Sequence, residues 1–151
     1  MSISKLAVGL ALALFALGVG AQQQETDAVT AANQAFYAAL SARDIGTMGK
    51  VWSHADVQNI GPRSRAVDVG WDAVRNSLEG TFATFQELKV SMDQAHVKVS
   101  GSTAWVSGIE KAQRKDKAGQ SSSGANLATN IYVKEGGRWL MVHHHASPVP
   151  Q

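Results

Sequence analysis

From residue 88 onward the chain alternates between β-rich runs and short turn signals, and that rhythm restricts it to few folds. The runs cover 88–99, 103–115, 126–134 and 138–147, with breaks at Gly101, Gly119 to Gly124 and Gly136-Gly137. Connections this short join antiparallel neighbours, because a parallel return needs a crossover of about a dozen residues or more. The texture before residue 88 is different. Val29, Ala32, Phe36, Ala39 and Leu40 recur at helical spacing, so 27–42 reads as an amphipathic helix capped by Thr26 or Asp27. Arg43-Asp44 breaks it, and 45–52 reads as a second short helix weakened by Gly46 and Gly49. A short strand at 57–60 stops at Gly61-Pro62. A third helix over 72–85 carries Val74, Leu78, Phe82 and Phe85 on one side, with Asp72 as its cap or dipole partner. Helices first and a four-strand meander after is an α+β arrangement, with helices packed on one face of a curved antiparallel sheet. Gln120 to Gly124 is expected to be a hairpin loop.

A chain of 151 residues supports one good core. Residues 1–21 read as a secretory signal: Lys5 supplies the positive start, 6–19 the apolar run and Val19-Gly20-Ala21 the cleavage site. Residues 22–26 are then a polar leader and 27–150 the folded domain, exported to the periplasm. The chain has no cysteine, so neither a disulfide nor a lipid-anchoring thiol is available and the core alone must hold the domain. Loss of Lys5 with the leader leaves 13 basic against 12 acidic residues. That balance gives no nucleic-acid face and no membrane attraction once the signal is removed. The cluster Lys111, Arg114, Lys115 and Lys117 reads as a solvated hairpin tip. There is no phosphate loop, nucleophile elbow or aromatic-basic pattern, and no cofactor is expected.

Chemistry concentrates in the last strand. Side chains alternate, which puts Trp139, Met141, His143, His145 and Ser147 on one face and Leu140, Val142, His144 and Ala146 on the other. Neither face is plainly polar, so both are expected to be covered, one by helices and one by a second copy of the chain. Trp139, Met141, His143 and His145 are therefore expected at a homodimer interface. A loop of Glu135-Gly136-Gly137 sets Lys134 opposite Arg138, Asn130 opposite Val142 and Ala128 opposite His144. Symmetric pairing about residue 120 adds Glu110 to the face of Asn130, Tyr132 and His144. His143 and His145 project about 7 Å apart, a spacing zinc can bridge. Nothing in the sequence brings His54 or His96 to them as a third ligand, so no metal is assigned.

The helix at 27–42, Trp52-Ser53-His54, Gly61-Pro62, Val69-Gly70-Trp71-Asp72 and the closing Val142-His143-His144-His145-Ala146-Ser147 resemble the SnoaL-like branch of the nuclear transport factor 2-like superfamily. The ending is also similar to that of the association domain of calcium/calmodulin-dependent protein kinase II. The resemblance implies a cone-shaped curved antiparallel sheet, cystatin-like, with N-terminal helices on its concave face, a cavity between them and a dimer through the sheet. Its members include ketosteroid isomerases, polyketide cyclases, dehydratases and non-catalytic scaffolds. The arginines of the association domain's cationic pocket correspond to Glu110, Asn130 and Ala146 here, so that pocket is not retained.

Two functions are consistent with these residues. In the first, Glu110 or His144 moves a proton on a small hydrophobic or carbonyl compound while Asn130 or Tyr132 holds the developing oxyanion. In the second, a non-catalytic dimeric module binds a small hydrophobic molecule among Trp52, Trp71, Phe82 and Phe85. The plainer alternatives are a Glu110 paired with Lys111 or Arg114, a hydrogen-bonded core His144, and aromatics that only pack the core. His54 edges the cavity or lies on the surface.

Overall fold

The computed structural model describes residues 3–149, with side chains from Gly20 onward. The side chains of the leader's apolar run, 6–19, and the domain end at residue 150 lie outside the described residues. Helix α1 spans Ile3–Ala42, and its core face is a helical stripe of Val29, Asn33, Phe36, Tyr37 and Ala39, all buried. A fully buried aromatic such as Phe36 contributes about 2 kcal/mol by leaving water. Ser41 ties the helix to the sheet: its hydroxyl donates to the Val90 carbonyl and accepts from the Val90 N–H. Arg43 turns at a φ of 55°, and Asp44 caps helix α2 (Ile45–Val51) by accepting the Thr47 N–H.

Strands β1 (Gln58–Ile60) and β2 (Asp68–Val69) precede helix α3 (Trp71–Thr84). The long strands β3 (Phe85–Ser100), β4 (Thr103–Asp116), β5 (Ser121–Glu135) and β6 (Arg138–Pro148) follow. The sheet has six strands in the order β2-β1-β6-β5-β4-β3. The meander is therefore extended past its last strand, because β1 lies parallel to β6 with Asn59 beside His144. The α+β class holds, with the helices on one face of a curved sheet.

Three local readings are corrected. The residues from Ser121 to Gly124 are strand rather than loop. Asp116 takes the backbone N–H groups of Gly119 and Gln120, closing the turn early, and the serines then pair with β4. The β4–β5 register sets Glu110 opposite Asn126, four residues from the symmetric pairing expected. The β5–β6 loop is only Gly136-Gly137, both at positive φ as a tight hairpin requires, so Glu135 faces Arg138.

A bulge in β6 has the largest consequence. Tyr132 faces Met141 and Ile131 faces His143, leaving Val142 as the extra residue. One extra residue reverses the alternation, so Trp139 and Met141 fall on the core face with His144 and Ala146. The expectation that Trp139 and Met141 share an outer face with His143 and His145 is thereby overturned. Both are buried in the core, where Trp139 also donates its indole N–H to Glu25. His143 and His145 remain on the outer face with rings 6.5 Å apart.

A second bulge lies in β3, where Asp93 faces Ile109 and His96 faces Ser107. Gly108 stands opposite it, with Asp93 O only 2.7 Å from where a Cβ would sit. This closeness marks the bend that curls the sheet over α1.

Candidate active site

Between α1, α3 and the core face of the sheet lies a cavity of about 360 Å³. Phe36, Leu40, Leu78, Phe85, Leu88 and Val90 form its apolar walls, and Glu110 and His144 its polar floor. Arg63, from the loop after β1, and Arg114, from β4, complete the lining.

The floor is fixed by one hydrogen-bond network whose donors can be assigned by elimination. Tyr132 donates its hydroxyl to Asn33 Oδ1 at 2.9 Å, and Asn130 donates Nδ2 to the same oxygen at 2.7 Å. Asn130 Nδ2 also lies 3.3 Å from the Tyr37 hydroxyl, which therefore accepts there and turns its own proton toward Glu110 Oε2, 3.4 Å away. With its amide nitrogen committed, Asn130 presents Oδ1 to His144 Nδ1 at 2.7 Å. An oxygen acceptor requires that Nδ1 carry the proton. The bare Nε2 then faces Glu110 Oε2 across 3.8 Å. Asn126 donates to the other Glu110 oxygen at 2.9 Å, and Phe36 packs on the imidazole at 5.2 Å.

Burial decides the charge of this pair. Glu110 is 4% exposed, and desolvation lifts its carboxyl above the ordinary 4.5 against the pull of the Asn126 and Tyr37 hydrogen bonds. Burial pushes His144 down to about 3, with His143 and His145 adding repulsion. Neutral acid plus neutral imidazole contains the same number of protons as the ion pair. Both shifts disfavour the ion pair: burial keeps the imidazole neutral with an open lone pair on Nε2 and makes the Glu110 carboxyl hold a proton more tightly than an ordinary one. Burial likewise raises the phenols of Tyr37 and Tyr132, which stay protonated as donors.

The structure brings Glu110, His144, Asn130 and Tyr132 into this network, although Asn130 and Tyr132 stand behind His144 rather than lining the cavity. Glu110 does not pair with Lys111, which holds Asp93 at 2.6 Å. The aromatic liners are not where the sequence reading put them. Trp52 is core, edge-on to Phe36. Trp71 stacks on His54 at 4.9 Å, so neither edges the cavity, and Phe82 packs against the core from α3. Phe85 does line the cavity.

Tyr37, Asn33 and Asn126 were missed. Asn33 and Tyr37 are one helical turn apart on the stripe that contains Phe36, and this signal was available. Among the described residues no group of three His, Cys, Asp or Glu side chains is placed to hold a metal ion.

A family model described as the SnoaL-like domain matches residues 29–151. Among curated proteins, the F-box protein SKIP8 of Arabidopsis thaliana is 26% identical over 122 residues, covering 81% of this chain and 50% of that protein. The chain thus spans about half the length of the curated relative it matches. A candidate dehydratase of the nuclear transport factor 2-like family from Streptomyces avermitilis superposes with a TM-score of 0.79 at 25% identity, covering 85% of this chain and 99% of that one. A candidate calcium/calmodulin-dependent protein kinase type II association domain from Thiobacillus denitrificans is 31% identical with a TM-score of 0.68, covering 80% and 94%.

Proposed function

Because the chain belongs to the SnoaL-like domain family, we propose that it is an acid–base enzyme that dehydrates or isomerises a small, largely apolar carbonyl compound. The observation that carries this reading is the imidazole–carboxyl pair at the floor of an apolar cavity. His144 Nε2 is an open base, and the Glu110 carboxyl, made a weaker acid by burial, stands 3.8 Å away and turned to the same space. In a dehydration, Nε2 takes the proton next to the substrate carbonyl and that C–H electron pair becomes the new double bond. The neighbouring C–O bond breaks as Glu110 gives its proton to the departing hydroxyl, and water leaves. The imidazolium then returns its proton to the Glu110 carboxylate, which restores the starting state. In an isomerisation the same two groups remove and redeliver one proton. Asn130 holds Nδ1 throughout, which keeps Nε2 aimed. The Streptomyces avermitilis relative, a candidate dehydratase, supports this class.

The test is turnover of β-hydroxy ketones and β,γ-unsaturated ketones, followed by the absorbance of the conjugated product. Glu110→Gln and His144→Leu are each expected to lower kcat/KM by about 10²- to 10⁴-fold. Unchanged rates in both variants would remove these residues from the chemistry.

The outer face supports a homodimer. Trp105 is 40% and Leu127 56% exposed, on the same face as Ile131, His143 and His145. The candidate association domain at 31% identity supports self-association as well. Leu127→Lys is expected to weaken the dimer by about a hundredfold, because it places two charges in a closed apolar contact. Sedimentation equilibrium reads the change, and an unaltered mass would place the interface elsewhere.

A further inference from the structure

The cavity's mouth holds two cations that the acid–base chemistry does not use. Arg114 lies four residues past Glu110 on β4, so it projects to the same face about 13 Å along the strand. Arg63 is delivered by the tight turn after β1, in which Ser64 N–H donates to the Gly61 carbonyl and the Ser64 hydroxyl accepts the Gly61 N–H. Both line the same cavity. Burial, and then the nearby Arg63, draw the Arg114 guanidinium below its ordinary proton affinity, while Glu110 acts on it in the opposite direction.

Four cations elsewhere are held by carboxylates: Arg75 by Glu79, Lys111 by Asp93, Lys115 by Glu87 and Lys134 by Glu25. Among the described residues neither Arg63 nor Arg114 has a carboxylate partner. The one carboxyl lining the cavity, Glu110, is held toward its neutral form by burial. The site is therefore apolar along its walls, with a buried carboxyl and imidazole at its floor and two guanidiniums at its mouth. Two guanidiniums brought together repel, and an oxyanion between them relieves that repulsion while accepting their paired N–H groups.

We propose that Arg63 and Arg114 bind the carboxylate of the substrate, so that the ligand is an elongated apolar acid whose reacting carbons lie several bonds from its carboxylate. This assignment rests on the reading of the cavity as a ligand site. It also gives the substrate one orientation, with the charged end at the mouth and the carbonyl or hydroxyl group on Glu110 and His144. Short acids whose carbonyl adjoins the carboxylate cannot reach both ends.

Calorimetric titration of the purified protein with matched pairs separates the alternatives. The probes are phenylacetate, 4-phenylbutanoate and 1-naphthylacetate, each beside its uncharged amide, with phenyl phosphate as a second oxyanion. At least one carboxylate is expected to bind about tenfold or more tighter than its amide, with the advantage shrinking at high salt. Arg114→Gln and Arg63→Gln, on separate elements, should each erase that advantage while leaving amide binding unchanged. Equal affinity of acids and amides overturns the carboxylate assignment and leaves the cavity reading standing, as does tighter binding of phenyl phosphate than of every carboxylate. Binding of no probe at all overturns both.

Discussion

Asn130→Leu is expected to destabilise the protein by about 3 to 5 kcal/mol, a large part of the total for a domain of this size. Leucine keeps asparagine's branching, but its methyl groups cannot sit 2.7 Å from Asn33 Oδ1 and His144 Nδ1 as the amide does, so lost hydrogen bonds and crowding both contribute. Asn130 is fully buried and holds His144 Nδ1, Asn33 Oδ1 and the Tyr37 hydroxyl. Each of those groups would be left in a dry interior without its partner, at about 1 to 3 kcal/mol apiece before relaxation. Tyr132 still reaches Asn33 Oδ1, which limits the cost on that side. Urea unfolding should show a lower midpoint with an unchanged slope. A loss below about 1 kcal/mol would mean that the network is not an energetic unit.

Gly108→Val is expected to cost about 3 kcal/mol or more, against the sign that strand propensity alone suggests. Valine is normally favoured over glycine in a strand. Here its Cβ would meet Asp93 O at 2.7 Å, Met92 Cγ at 3.0 Å and Gln94 O at 3.2 Å. Two of those atoms are backbone at the β3 bulge, where Gln94 already has a φ of 51°. They can retreat only by undoing the bend, which would flatten the sheet and move Val90 and Leu88 away from the cavity. Thermal unfolding compared with Gly80→Val, at an open helical position, isolates the effect of the bulge from that of glycine itself. Equal losses at the two sites would contradict the account of curvature.

The sequence disclosed what depends on periodicity and concealed what depends on single-residue irregularities. The switch from helical to alternating spacing near residue 85 was readable because every buried position repeats it. The bulge at Val142 has no mark in Trp139-Leu140-Met141-Val142-His143, since every residue there suits either face. Trp139 and Met141 were consequently assigned to the wrong side, whereas His144 beyond the bulge was not. The four-residue error in the β4–β5 register was harmless to the face of Glu110, because an even shift preserves alternation. Asn33 and Tyr37 were legible as members of the buried stripe that contains Phe36, but their roles depend on Asn130 and Tyr132 across from them, which helical spacing does not show. Arg114 was read with its charged neighbours as a hairpin tip, yet an even offset from Glu110 already placed it on the cavity face. The serines from Ser121 read as loop by composition, and only the early turn at Asp116 shows them to be strand.

The central claim is that His144, beside Glu110, is a neutral imidazole that keeps Nδ1–H and a bare Nε2 as the free base. Nitrogen-15 NMR of the histidine rings, titrated from about pH 4 to about pH 7, addresses it without any substrate. Since His144 is pushed down to about 3 from an ordinary 6.5, it should remain a neutral Nδ1–H tautomer over that whole range. An imidazolium signal from His144 at neutral pH would contradict the account, because it would make the pair a salt bridge with no free base.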